Sequence, residues 1–205
     1  MARVAATAAP RLSGVDRRDA LLDAAASLLV EHGGLGITMD AVAAGAGVSR
    51  PLVYKHFANR DEVLVELYRR ESDRFDADVR EALRDVRGFE ATVRATAATV
   101  LASPPVRERI FAALLRAQPS SADLRGAQRH RQDANRAWFA RLAADEFGLA
   151  DADADAAVAI FFSGLEALIG WNRAGRLDCS DLLDLYVRVV MGGLEALRAD
   201  RPPPR

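Results

Sequence analysis

The segment GVSRPLVYKHFANRDEV, residues 47–63, sets Arg50, the chain's single lysine Lys55, His56 and Arg60 in a run with no acid between residues 47 and 60. Hydrogen-bond donors gathered without a carboxylate to receive them have the chemistry of an anion-holding surface. A guanidinium such as that of Arg50 offers a forked donor pair that matches the O6 and N7 acceptors of guanine, while Pro51 and Leu52 beside it offer apolar surface for a thymine methyl. One turn later, Tyr54, Lys55 and His56 place a phenol, an ammonium and an imidazole where they can bond phosphates or nearby base edges. Thr38 and Arg60, at the starts of the flanking helices, are expected to grip backbone phosphates on either side.

Readers of this kind need a short exposed helix held in place by another. Thr38 has the type and position of an N-cap for a helix from Met39 to about Gly45, with Asp40 in the first turn where a helix dipole favours an acid. Gly47 suits the left-handed residue of a tight turn, and Ser49 caps the next helix, which carries Pro51 in its first turn where proline is tolerated. Val53 and Phe57, spaced i and i+4, belong to the core against Leu29, Val42 and Leu64, as do Ala41, Ala46 and Val48. Helix, glycine turn and second short helix make a helix-turn-helix, whose second helix enters the major groove with its N-terminal residues at base edges. Asn59 and Glu62 then mark a fresh helix start, and Val63, Leu64 and Leu67 open its apolar stripe; the helix is expected to run to about Val86 through the charged run RRESDRFDADVREALRDV, as a link between two regions.

Helical period runs through nearly every other segment and no alternating strand pattern competes with it, so the fold class is all-α. A first helix is expected from Arg17 to His32, stopped by Gly33-Gly34, and later ones at about 89–102, 106–116, 121–147, 152–173 and 180–199. The chain divides into a flexible arm at 1–15, a helix-turn-helix domain at 16–68, a second helical domain at 69–200, to which the resemblance described below assigns ligand binding and dimerisation, and a disordered tail at 201–205. With a formal net charge of −1, only the local distribution of charge speaks for or against nucleic acid. Cys179 stands alone, and His32, His56 and His130 lack metal-ligand spacing, so no intrachain disulfide, metal or cofactor is expected. No run of 18 apolar residues occurs and the first residues are broken by Arg3, Pro10, Arg11 and Gly14, which points to a cytoplasmic protein without a membrane partner. The absence of GxSxG, GxGxxG and GxxxxGK[ST] patterns leaves no catalytic residue to name.

From Asp19 to Tyr68 the sequence, including LLDAAASLLVEHGGLGITMDAVAAGAGVSRPLVYKHFANRDEVLVELY, resembles the N-terminal DNA-binding domain of the tetracycline-repressor (TetR) family without a gap. The match rests on Gly33, Ile37, Thr38, Val42, Ala43, Ala46, Gly47, Val48, Ser49, Val53, Tyr54, His56, Phe57, Asn59 and Leu64. The resemblance implies a transcription regulator, usually a repressor, that binds a palindromic double-stranded operator as a homodimer and is released by a small-molecule effector. Positions matching the family's DNA contacts are Thr38, Ser49, Arg50, Pro51, Leu52, Tyr54, Lys55, His56 and Arg60. Arg50-Pro51 departs from the commoner Lys-Gly pair, so an operator sequence does not carry over. Near the N-terminus, Arg3, Arg11, Arg17 and Arg18 can add minor-groove or phosphate contacts, with a disordered arm as the default.

Beyond Tyr68 the resemblance is architectural. Val93, Phe111, Leu114, Trp138, Phe139, Leu142, Phe162 and Leu165 are candidate walls of a pocket for a hydrophobic or amphipathic effector, with Gln118, His130, Asn135 and Asn172 as polar fixtures. The last two helices are rich in apolar residues and glycines, which suggests a four-helix interface with a second copy through Val158, Phe161, Leu168, Tyr186, Val189, Val190, Gly193 and Leu197. The run Arg125, Arg129, His130, Arg131, Arg136 and Arg141 is assigned to a solvated face balanced by acids such as Asp133 and Asp145. A helical DNA-binding or interaction module with no effector stays open as the alternative.

Overall fold

The computed structural model describes residues 14–117, 122–175 and 177–199. Most of the expected arm, the tail and Gln118 lie outside them. The described residues form nine α-helices and one short 3-10 turn, with no strand among them. They pack as two units. One takes the described residues through Arg70 together with the segment from Glu108, and the other takes Glu71–Arg107 and the described residues from Arg125 onward.

In the first unit, α1 (Gly14–His32) starts earlier than Arg17 and buries Leu21, Leu22, Ala25 and Leu29. Gly33 stops it at φ +70°, donating to the Leu29 carbonyl at 3.0 Å, and a 3-10 turn at Gly34–Gly36 follows. A Cβ on Gly34 would lie 2.6 Å from the Ala117 Cβ, so only glycine lets these two backbones approach. Then α2 (Met39–Gly45) begins at Thr38, whose Oγ1 accepts from the Ala41 N–H at 3.0 Å. Gly47 turns the chain at φ +65° into α3 (Arg50–His56), which Ser49 precedes in extended conformation without a side-chain capping bond. Val53 and Phe57 are fully buried, as their spacing requires. At the start of α4 (Arg60–Ala82), Asn59 Oδ1 accepts from the Glu62 N–H at 2.9 Å, and Glu62 Oε2 accepts from the Ala58 N–H at 2.6 Å. This helix ends before Val86 because its ladder tightens: Arg84 and Val86 donate to carbonyls three residues back, and Gly88 follows at φ +83°.

The second unit is built on α5 (Phe89–Leu101), α8 (Asp151–Arg173) and α9 (Cys179–Ala199), which pack on one another, with most of α7 (Ala122–Phe147) completing the core. Phe89, Phe139, Phe147 and Phe161 join edge to face or tilted, with centroids 5.2–6.4 Å apart. Such pairs contribute roughly 0.5–1.5 kcal/mol each beyond their area. Tyr186 reaches across from α9 and donates to the Phe161 carbonyl at 2.8 Å. Gly164 makes room for its ring, since a Cβ there would sit 3.2 Å from the ring edge.

The packing corrects part of the expected interface. Val158, Phe161, Leu168 and Tyr186 are taken up in the chain's own core, because their helical register turns them onto α5 and across the α8–α9 contact. Val190 is half-buried against the same core, whereas Val189, Gly193 and Leu197 face outward. α8 has the length and mean hydropathy, 1.4, that a membrane span needs. Its buried residues recur at Ala154, Val158, Phe161, Leu165 and Leu168, the one-sided stripe of a helix lying on a protein core.

Candidate nucleic-acid interface and ligand cavity

The two-sided character of α3 positions the DNA-facing candidates. With Val53 and Phe57 anchoring its inner side, Ser49, Arg50, Pro51, Tyr54 and Lys55 are exposed, and Leu52 and His56 are half-buried at its flanks. Lys55 makes no ion pair among the described residues. Arg50 is bound within the chain: its Nε lies 3.1 Å from Asp40 Oδ1 on α2, and its Nη2 donates to Tyr54 Oη at 3.3 Å with the Tyr54 ring 5.5 Å from the guanidinium. The bond to Tyr54, and then the charge of Asp40, push the Arg50 pKa up and keep it cationic. Burial, followed by the charges of Arg18, Lys55 and Arg17, pushes the His56 pKa down, so the imidazole is neutral near pH 7.

Two arginines expected to meet phosphate are turned inward. Arg60 Nε donates to the Ile37 carbonyl at 3.1 Å and its Nη2 to the Gly34 carbonyl at 2.7 Å, while Nη1 meets Asp61. The Gly34 carbonyl opens the 3-10 turn and also accepts from the Ile37 N–H at 3.3 Å, and the Ile37 carbonyl lies between that turn and α2, so the guanidinium ties the connection between α1 and α2 to the start of α4. Arg18 lies in the first turns of α1. Its Nη1 donates to the His56 carbonyl at 2.9 Å, its Nη2 lies 2.9 Å from Glu66 Oε2, and its guanidinium lies 4.6 Å from the Phe57 ring centroid. Burial pushes the Glu66 carboxyl up, but bonds from Arg18 and Arg69 outweigh it and hold the group below its ordinary pKa. Sequence gives no sign of the Asp40–Arg50 pair or the Arg18 clasp, because both join different helices.

Inside the second unit lies a cavity of about 820 Å³, within the size range of small-molecule sites. Trp138, Phe139, Phe162 and Leu165 of the expected set line it, with Asn135 as a polar fixture. Val93 and Leu142 pack in or against the core beside it, and His130 and Asn172 do not reach it. Phe111 and Leu114 fall in the first unit, where Phe111 meets Tyr68 edge to face at 6.1 Å and Leu114 is fully buried. Missed by sequence were Phe75, Val79 and Leu83, which line the cavity from a stretch read as a charged connector. Their spacing of i, i+4 and i+8 was the available signal. The arginine run is likewise more than a solvated face. Arg131 bonds Asp76 through Nε and Nη2 and lies 5.7 Å from the Phe75 ring, Arg136 lies 2.9 Å from Asp155, and both arginines line the cavity.

The family model for bacterial regulatory proteins of the tetR family matches residues 21–67, the span that holds α2, the glycine turn and α3. Over these residues the chain carries the N-terminal domain of the TetR family. Among curated relatives, the transcriptional activator FasR of Mycolicibacterium smegmatis is 36% identical over 85 residues, 42% of this chain and 39% of the relative. The transcriptional regulator BetI of Agrobacterium fabrum is 36% identical over 96 residues, 47% of this chain and 38% of the relative. These alignments thus span well under half the length of either relative. The same fold occurs in a protein of Pseudomonas aeruginosa PAO1 assigned as a transcriptional regulator, with TM-score 0.76, 24% identity, and 93% and 94% of the two chains covered. A TetR-like regulator from Rhodococcus sp. RHA1 aligns with TM-score 0.70 and 22% identity over 93% of this chain and 100% of that one. AibR, solved with isovaleryl coenzyme A and operator DNA, aligns with TM-score 0.65 and 19% identity over 84% and 97%.

Proposed function

We propose that this protein is a ligand-responsive transcriptional regulator that works in the cytoplasm as a homodimer, binds a palindromic operator through α3, and is released by an amphipathic effector. The observation that carries this reading is the outward face of α3, where Arg50, Tyr54 and Lys55 are exposed while Val53 and Phe57 fix the opposite side. A helix held in this way can enter a major groove without losing its own packing.

A second copy is the occupant that best fits the exposed face of α8 and α9. Leu185, Val189, Gly193 and Leu197 recur every fourth residue along α9, and Val189 is 65% exposed. On α8, Ile160 is 74% exposed. Cβ atoms on Gly170, Gly192 and Gly193 would meet nothing within 4 Å, so these glycines leave open surface for a partner backbone. Apolar stripes of this kind on two adjacent helices suit a four-helix interface across a two-fold axis.

The effector reading rests on the cavity and on α4. That helix begins in the first unit beside α3 in sequence, and its later residues Phe75 and Val79 line the cavity of the second. A ligand that binds one disposition of α4 better than another shifts operator affinity by its coupling energy, ~1–3 kcal/mol in typical cases. AibR, solved with isovaleryl coenzyme A and operator DNA, supports the idea that this fold can bind a small molecule as well as DNA.

Selection of bound sequences from a random duplex pool by the purified protein tests the reading. A palindrome with half-sites about one helical turn apart is expected. Lys55→Ala should weaken binding to all sequences and flatten the salt dependence by about one unit, and Val189→Glu should yield monomers. Failure of folded, dimeric protein to enrich any sequence would refute operator recognition. A palindrome whose affinity no cavity ligand alters would leave a DNA-binding module without an effector.

A further inference from the structure

Within residues 38–57, which form α2, the turn and α3, Asp40 is the only acid. It stands exposed on the element that must meet DNA, where a carboxylate repels phosphate, and its Oδ1 lies 3.1 Å from Arg50 Nε. Tyr54 Oη accepts from Nη2, one turn further along α3. Nη1 makes no bond among the described residues, so the outer edge of the guanidinium keeps donors for a guanine. An arginine held like this differs from a free one in two respects. Its direction is set by an ion pair to Asp40 of α2 and a hydrogen bond to Tyr54 of α3, and its charge is already balanced by a carboxylate.

We propose that Asp40 is a positioning residue that makes Arg50 a reader of bases rather than a holder of phosphates. This inference rests on the assignment of α3 as the recognition helix. Attraction to phosphate comes from neutralisation and counterion release, and a cation paired with Asp40 contributes little of either. Hydrogen bonding to guanine O6 and N7 is a matter of direction, which Asp40 and Tyr54 supply in advance. The pair therefore lowers affinity for arbitrary DNA more than affinity for the operator, and specificity is the ratio of the two.

The test compares wild type with Asp40→Asn and Asp40→Glu on the selected operator and on a scrambled duplex across a salt series. Asparagine keeps the shape and an acceptor oxygen but removes the charge. Freeing one cation for one phosphate steepens the log–log salt slope by about 0.9, equivalent to about fivefold tighter non-specific binding at ~0.15 M salt. The expected result is a steeper slope on the scrambled duplex, where the freed Arg50 meets a phosphate, a smaller change on the operator, where it meets a base, a specificity ratio about fivefold lower, and recovery of all three by Asp40→Glu. A merely structural Asp40 would leave the slope alone and weaken both duplexes equally. That outcome, or an unchanged ratio in Asp40→Asn, overturns the proposal. Loss of sequence preference in the wild type would instead overturn the recognition-helix assignment, because the slope change is still readable on scrambled DNA.

Discussion

Arg18→Gln is the perturbation that separates the inward arginine described above from the DNA-contacting arginine expected from sequence. In the structure, this guanidinium joins α1 to the last carbonyl of α3 at 2.9 Å, to Glu66 of α4 at 2.9 Å, and to the Phe57 ring at 4.6 Å. A charge-assisted bond contributes about 1.5–3 kcal/mol when buried, and with its side chain 36% exposed the lower end applies. The Glu66 pair adds about 0.5 kcal/mol after solvent screening, and the cation–π contact about 0.5 kcal/mol. Because one side chain makes all three contacts, they do not add fully, and a loss of about 2 kcal/mol is expected. That corresponds to a fall in Tm of about 4–8 °C, read by far-ultraviolet circular dichroism. Operator affinity should also fall, because α3 loses a tie at His56, yet the salt slope should not change. An Arg18 on phosphate predicts the reverse: unchanged Tm and a slope flatter by about one unit. That pair of results would refute the clasp.

Gly34→Ala should cost about 1–3 kcal/mol, measured as a lower urea midpoint, because its Cβ would meet Ala117 at 2.6 Å. Tyr186 carries a hydroxyl whose pKa burial pushes above the ordinary value of 10.0. The unfolded chain releases that proton first, so stability is intact below pH ~10, falls as pH rises above it, and falls less steeply in Tyr186→Phe. His56 has the opposite sign, since burial and neighbouring cations push its pKa down. Below pH ~6.5 the unfolded chain binds the proton that the folded one resists, and stability falls with pH until the folded imidazole also titrates. Phosphates favour the charged imidazole, so operator affinity should rise over the same interval, and His56→Gln should remove both trends.

Local signals carried the fold. Thr38 as an N-cap, Gly33 and Gly47 as left-handed residues, and Asn59 with Glu62 at the start of α4 are each decided within a few residues, and each forms a bond or dihedral that the structure contains. Core faces were legible wherever one period dominated, as with Val53 and Phe57. Legibility failed where a helix has two apolar sides. In α8, Val158, Phe161 and Leu168 read as interface from hydrophobicity alone while the exposed Ile160 is passed over, and only packing on α5 and α9 decides which side the chain consumes. The cavity was half legible for a related reason. Trp138, Phe139, Phe162 and Leu165 stand out as large apolar residues, but Phe75, Val79 and Leu83 lie among charges that mask their stripe.

Arginine shows why the interface was harder to read than the fold. Arg18, Arg50 and Arg60 are alike in sequence, yet their charges go to three different uses. Arg18 clasps α3 and α4, Arg60 satisfies the Gly34 and Ile37 carbonyls, and Arg50 shares its charge with Asp40 while remaining exposed. What separates them is the position of an acceptor on another helix, which no spacing along the chain encodes. The consequence is functional. With Arg18 and Arg60 spent internally and Arg50 balanced, Lys55 is the cation of α3 whose charge no described carboxylate balances, and His56 is neutral near pH 7. On the proposed reading, a recognition surface with so little spare charge draws weakly on phosphate attraction, and its discrimination between operator and bulk DNA would come from the direction of a few donors. If that reading holds, packing that fixes those donors, at Asp40, Tyr54 and Phe57, bears on specificity as directly as the residues that would touch the bases.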